Sequence, residues 1–464
     1  MFKIIVDIWH IPELRRRILW TLGLIVVFRI GFWIYLPGID VEAYTVSTAS
    51  KSQGPLDFLL VTSRLTGGSF SPVLFSLGIM PYISASIIFS LLVKVFPRLE
   101  ALSKEGEQGR RVISRYTRYA TVVLCLVQGS FLVGSWGVSG TDSAPISPDA
   151  GFVMGTLQLL CLTAGSLFLM WLGEKITEVG IGNGASLIIM AGIISDIPAA
   201  LGILIKRIWL ATPDDRPFEI TYGLMMFLLF FAVVAAVVFI TKGQRRIPIQ
   251  QQRAVKGRKV YGGQRHYMPI KVNAAGVLPI IFASSLIMIP TLLLSNIAFG
   301  GDSWFHGVMK FFANAFAYQQ FLNTFANIAM IFFFTFFWTS LMFNPVEIAG
   351  NLKEYGNFIP GIRPGKRTAE YLDKILKRLT LAGATFLSLI WIVPQFVGSA
   401  VPGMGQLVTQ FLGGTSILIV VGVALDLVEK IEAQLLMRQY EGFIRGSEGP
   451  RRGGGPEKRD KTRV

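Results

Sequence analysis

Ten runs of about twenty predominantly apolar residues constrain this chain more than any other feature of its sequence. A helix rises about 1.5 Å per residue, so about 20 apolar residues are needed to cross a hydrocarbon core of about 30 Å. The runs fall near residues 18–36, 73–95, 116–137, 151–173, 183–204, 220–241, 273–296, 320–343, 376–396 and 408–428. With 52% of its 464 residues hydrophobic and 16% charged, the chain is too apolar for a soluble enzyme of this length. The expected fold class is an all-α, multi-pass membrane protein with ten transmembrane helices.

The formal charge of +16 would suggest a nucleic-acid partner if the basic residues sat on a soluble domain. Here they sit between the apolar runs. Basic loops resist translocation, so the side with more Lys and Arg stays cytoplasmic. Thirty-five Lys and Arg fall in the termini and the loops on their side; six, Lys51, Arg64, Lys206, Arg207, Arg216 and Lys310, fall in the opposite loops. Both termini are therefore expected on the cytoplasmic side of the membrane.

Four segments are expected. Residues 1–17 mix Phe2, Ile4, Ile5, Ile8 and Trp9 with Arg15, Arg16 and Arg17, the pattern of a retained amphipathic surface helix. Residues 18–219 and 220–428 each carry five runs, so the second half starts in the opposite orientation and can form a pseudo-symmetric inverted repeat. In support, Gly78-Ile-Met-Pro-Tyr-Ile-Ser-Ala-Ser86 lies over Gly276-Val-Leu-Pro-Ile-Ile-Phe-Ala-Ser284 with Gly, Pro, Ile, Ala and Ser matched. Small residues and Pro are common in packed membrane helices, so the match alone leaves both readings open. Residues 429–464 read as a cytoplasmic tail, disordered from about Ser447.

Residues 55–71 carry Leu56, Phe58, Leu59, Leu60 and Val61 and then Arg64, Gly67 and Gly68, too short and broken a stretch to span a bilayer. It is either a surface helix or a re-entrant piece, and the latter is tolerated only where protein or water receives its backbone polar groups.

The chemistry of an enzyme is missing. Cys125 and Cys161 lie in apolar runs, and His10, His266 and His306 have no companion at ligand spacing, so no metal, cofactor or redox site is expected. Walker A, HExxH and GxSxG patterns are absent. Arg29 is the clearest charge inside a run; it either serves a pore or pairs with a neighbouring helix.

The loops 242–271 and 344–375 are long and basic. The first carries Lys242, Arg245, Arg246, Arg253, Lys256, Arg258, Lys259 and Arg265; the second carries Arg363, Lys366 and Arg367. Such projections suit anionic lipid, ribosomal RNA or an acidic protein partner.

Several motifs resemble those of the SecY family of bacterial protein-conducting channels. They are Phe75-Ser-Leu-Gly-Ile-Met-Pro-Tyr-Ile-Ser-Ala-Ser-Ile-Ile88, Lys104-Glu-Gly-Glu-Gln-Gly-Arg-Arg111, Met170-Trp-Leu-Gly-Glu-Lys-Ile-Thr-Glu178, Gly180-Ile-Gly-Asn-Gly184, Gly243-Gln-Arg-Arg246, Phe343-Asn-Pro345, Pro360-Gly-Ile-Arg-Pro-Gly365 and Gly413-Gly-Thr-Ser416. The resemblance implies a clamshell of two five-helix halves around a central hourglass pore, which passes unfolded secretory chains across the membrane and releases transmembrane segments sideways. By position it implies a pore ring of Ile79, Ile83, Ala185, Ile189, Ile281 and Ile419, Ala185 replacing a usually bulkier residue. It implies a plug at about 56–70, including Leu56, Phe58, Leu59, Leu60, Gly67 and Gly68.

The lateral gate would form where spans two and three meet seven and eight, near Ser84, Ser86, Ser284 and Ser285, with Gly78/Pro81 and Gly276/Pro279 as kinks. Partners implied are SecE and SecG, the SecA ATPase, the ribosome, substrates bearing signal sequences and the lipid bilayer. Docking of SecA or the ribosome falls on Arg253, Lys256, Arg258, Lys259, Arg363, Lys366 and Arg367. The alternative from the residues alone is a secondary transporter with inverted repeats, which calls for a polar midplane site.

Overall fold

The computed structural model describes residues 11–39, 68, 71–137, 151–210, 216–252, 254–256, 259–261, 265–284, 286–287, 311, 315, 320–400 and 415–447. Among them, helices α1 Pro12–Ile30, α2 Met80–Val95, α3 Pro97–Lys104, α4 Glu107–Gly137, α5 Gly151–Val179, α6 Gly184–Leu210 and α7 Arg216–Lys242 make up the first part of the chain. Strands β1 Gln244–Gln251, β2 Ala254–Lys256, β3 Lys259–Tyr261 and β4 Arg265–Lys271 follow. A short helical stretch at 278–284 precedes α8 Phe321–Met342, α9 Pro345–Glu354, β5 Asn357–Phe358, α10 Lys366–Ala400 and α11 Thr415–Ser447.

Six of these helices are long and apolar enough to cross a membrane, and a seventh span results if α2 and α3, bent by 100° at Phe96, are taken together. The first expected span falls short of that test because α1 ends at Ile30 and carries Arg15, Arg16, Arg17 and Arg29. The seventh expected span lies partly outside the described residues.

Two expectations change. The Gly78/Pro81 and Gly276/Pro279 pairs are not kinks within helices; they are helix starts. Residues 74–79 and 272–277 form turns, Gly78 and Gly276 adopt φ of +59° and +66°, and helix begins two residues later at Met80 and at Leu278. Proline has no N–H to give, and the first turn of a helix is where that loss costs nothing. The same backbone device in both aligned segments is independent support for an inverted repeat.

The all-α expectation also fails in the 242–271 loop. There β1 pairs antiparallel with β4, from Gln244↔Lys271 to Gln250↔Arg265, and with β5 of the other basic loop through Gln250↔Phe358 and Gln251↔Asn357. Ile247 and Ile270 of this sheet pack on Ile359, Leu372 and Leu376, so the two loops form one body with the start of α10. The alternation of apolar and polar residues in Arg245-Arg-Ile-Pro-Ile-Gln250 is the pattern of a half-buried strand.

The Gly180–Gly184 motif is the tight turn from α5 to α6. Asn183 caps α6, its Oδ1 accepting from the Ala185 N–H at 3.1 Å, and the Ile181 N–H donates to Thr21 Oγ1 at 3.2 Å, tying α1 to the turn. A Cβ on Gly184 would fall on the carbonyl oxygen of Gly173 and within 2.9 Å of the Ile176 side chain. Gly184→Val should therefore cost about 1–3 kcal/mol through overpacking and lower the thermal unfolding midpoint of the purified protein by several degrees. Gly134→Ala, at a helical position with open space around it, should leave the midpoint within about a degree.

Candidate functional site: an apolar constriction and its surroundings

The expected ring positions come from four segments of the chain. Ile79 and Ile83 come from the start of α2, Ala185 and Ile189 from α6, Ile281 from the 278–284 helix and Ile419 from α11. The five isoleucines are buried in a single apolar cluster, against which Ala185 packs partly buried. The turns at Gly78 and Gly276 put Ile83 and Ile281 at corresponding positions of their helices, and the preceding backbone is brought close: a Cβ on Gly173 would meet Ile79 Cδ1 at 3.3 Å and the Ala185 nitrogen at 3.5 Å. That crowding suits a small residue at the first turn of α6.

An aromatic layer lies beside the ring. Phe75 stacks on Phe28 at 6.4 Å and on Phe168 at 5.9 Å, and Phe32 meets both Phe28 and Phe75 edge-on at 5.1 and 6.0 Å. On the other half, Phe282 meets Phe334 at 5.7 Å and Trp338 at 5.5 Å, fastening the 278–284 helix to α8. Ser84 and Ser86 are half-buried on α2, and Ser284 is buried, its hydroxyl donating to the Ile280 carbonyl at 2.9 Å. Ser285 lies outside the described residues.

Of the expected plug positions, Leu56, Phe58, Leu59, Leu60 and Gly67 lie outside the described residues, and Gly68 is described. Gly68 helps line a cavity of about 180 Å³ together with Arg29, the charge that the sequence marked out. The same cavity is lined by Asp196 of α6, which sequence reasoning passed over. Its signal was available: a lone carboxylate inside a long apolar run, where each central charge costs about 2.5–3.5 kcal/mol to insert, is seldom idle. Elsewhere Arg118 of α4 forks onto Glu174 of α5 at 2.8 and 3.2 Å, and Lys271 of β4 meets Glu429 of α11 at 2.9 Å.

Among the described residues no group of three or more His, Cys, Asp or Glu is placed to hold a metal ion. The described ring positions are part of a packed apolar core between helices.

This geometry has relatives. The family model described as SecY matches residues 73–428. The chain belongs to the SecY family. Protein translocase subunit SecY of Streptomyces coelicolor is 44% identical over 443 residues, covering 94% of this chain and 98% of that protein. Among solved structures, one of a protein-conducting channel matches with a TM-score of 0.61 at 18% identity, covering 94% of this chain and 95% of the other. Sec61 in the canine ribosome-channel complex from the endoplasmic reticulum matches with a TM-score of 0.57 at 16% identity, covering 94% and 95%. The likeness in fold spans nearly the full length of each.

In this SecY-family chain the expected docking residues divide by location. Arg363 is exposed in the turn between β5 and α10, and Lys366 and Arg367 are exposed on the first turn of α10. The Arg363 carbonyl accepts from Thr368 Oγ1 at 2.9 Å, so the turn is held by backbone and not by the guanidinium. Lys256 and Lys259 are register partners in the β2–β3 ribbon, while Arg253 and Arg258 lie outside the described residues.

Proposed function

We propose that this chain, a protein translocase subunit by its family, is the pore-forming subunit of a ten-span clamshell. Its halves, 18–219 and 220–428, part to pass unfolded polypeptides. The observation that carries the reading is that Ile79, Ile83, Ile189, Ile281 and Ile419 are all buried in one extended apolar core, against which Ala185 packs. A narrow collar of branched apolar side chains excludes water and so blocks ions, yet it parts around a polypeptide without forming adhesive polar contacts. The competing transporter reading asks for polar or ion-binding groups at the repeat interface, and the equivalent positions Ile83 and Ile281 are apolar.

The plug at about 56–70 would seal the far side of the ring, and a segment exposed through the gate between spans two and three and spans seven and eight would sort by partition. Each Leu favours hydrocarbon by a few tenths of a kcal/mol, and each central charge opposes it by roughly 3 kcal/mol. The excess of thirty-five basic residues over six supports cytoplasmic termini in an inner membrane. SecE and SecG are the proposed companions in the membrane. The waist has no chemistry with which to drive transport, so the work is assigned to SecA or a translating ribosome.

Replacing Ile83 and Ile281 together by Gly should give the purified complex a steady single-channel conductance in planar bilayers at rest. A conductance equal to the parent's would remove the seal from the ring.

The docking assignment rests on placement. Cations on the first turn of a helix oppose its dipole by a few tenths of a kcal/mol, so helix stability does not account for Lys366 and Arg367. Arg363→Glu should slow SecA-driven export at least about fivefold, the factor that about 1 kcal/mol represents. The defect should deepen at low salt. Parental export rates by a normally folded variant would leave Arg363 no part in docking.

A further inference from the structure

One cavity is lined by both Arg29 and Asp196, charges that fall in two of the expected spans. Its wall is built from Arg29, Phe32 and Tyr35 at the end of α1, Ser71 before α2, and Ser195 and Asp196 of α6. Asp196 follows the ring residue Ile189 by seven residues, close to two full turns, so it lies on nearly the same face of α6 about 10 Å farther along. α6 and α7 are consecutive and antiparallel, which puts Asp196 on the side of Ile189 away from the β1–β4 sheet. Arg29 is steadied from below, its guanidinium carbon 5.5 Å from the centre of the Phe32 ring, and Phe32 is in turn wedged edge-on against Phe28 and Phe75.

The wall opposite is fixed too. The Leu36 N–H donates to the Pro72 carbonyl at 3.0 Å, the Leu74 N–H donates to the Ile34 carbonyl at 2.9 Å, and Tyr35 and Val73 form a β-bridge. Ser76 Oγ accepts from the Val73 N–H at 3.0 Å and donates to the Val73 carbonyl at 2.6 Å. A cation and a carboxylate thus line one polar space, part of whose wall is fixed by backbone hydrogen bonds.

We infer that Arg29 and Asp196 form a charged vestibule which sets the ion selectivity of the dilated channel, Asp196 favouring cations and Arg29 favouring anions. The inference rests on the channel reading above. With both present their fields largely cancel, and removing one leaves the other to act. A unit charge about 7 Å from an ion in water shifts the ion's energy by about RT, which is about a threefold change in local concentration.

The test uses the complex with its partner subunits in planar bilayers under a KCl gradient, in the Ile83→Gly/Ile281→Gly background. Asp196→Asn should move the reversal potential toward chloride and Arg29→Gln toward potassium, each by about a threefold change in permeability ratio. The double variant should return near the background value, and Asp196→Glu should retain it. Should Asp196→Asn fail to insert, Asp196→Ser, which matches its neighbour Ser195, carries the same expectation. If the background conducts and neither single substitution moves the reversal potential, the vestibule proposal is overturned and the channel reading stands. If the background does not conduct, the ring loses its sealing role, and the vestibule proposal, which needs the dilated ring, falls with it.

Discussion

Every backbone N–H and C=O at bilayer depth has to find its partner within the protein, because hydrocarbon offers none. Regular helix meets that demand automatically; the turns at 74–79 and 272–277 do not. They persist because each is closed by specific donors. On the first side Gly78 donates to Phe75, Ser76 to Val73, and the neighbouring strand 34–36 exchanges bonds with Pro72 and Leu74. On the second, Val272 donates to Gly243, Ile280 to Val277, and the Asn273 side chain donates to the Gly276 carbonyl at 3.1 Å. Two different sets of partners support one backbone path. What the two segments share is therefore the geometry that the path delivers: a helix beginning two residues after a left-handed glycine, with Ile83 or Ile281 one turn inside it.

That geometry explains why the constriction is narrow without being rigidly bonded. In lipid, helices gain nothing by hiding apolar surface from water, so they cohere through close packing and a few polar contacts. The close contacts here are made by glycine, Gly184 against Gly173 and Gly165 against the Leu74 carbonyl, where any side chain would collide with backbone. Both sit within the first half and lock its helices to one another. The ring, by comparison, is held by dispersion between isoleucines, individually weak and without directional preference. On the clamshell reading proposed above, halves stitched internally and meeting through branched aliphatic side chains separate along that meeting surface first.

Much of this was readable from residues. Helices α4 to α8 and α10 correspond to expected spans because twenty apolar residues leave the backbone no other solution. The pairing of the two Gly-x-x-Pro segments was readable as well, whereas its meaning was not: a Pro in an apolar run reads equally as a kink or as a start, and only the left-handed φ of the glycines decides. The β1–β4–β5 sheet escaped because its short strands are masked by charge, Arg245, Arg246 and Arg265 outnumbering the two buried isoleucines that define its inner face. The start of α4 at Glu107, well before residue 116, escaped for a related reason: solvent-exposed turns held by i,i+4 pairs such as Arg111–Glu107 at 2.6 Å carry no hydropathy signal. Asp196 was overlooked because a single carboxylate barely lowers the apolarity of its run.

The joining of the two basic loops changes what their charge can do. As separate flexible loops they would present cations at shifting distances, and an exposed charge that must be immobilised on contact loses part of its attraction to conformational entropy. As one body, with Ile247 and Ile270 buried against Leu372 and Leu376, the loops hold Arg363, Lys366 and Arg367 at fixed spacing on a base continuous with α10. The Lys271–Glu429 pair links the same body to α11, the helix that carries Ile419 of the ring. A partner that grips the cationic surface therefore pulls on elements continuous with the second half of the channel. Force applied outside the membrane has a covalent and packed route to the constriction, which contains no group able to generate it.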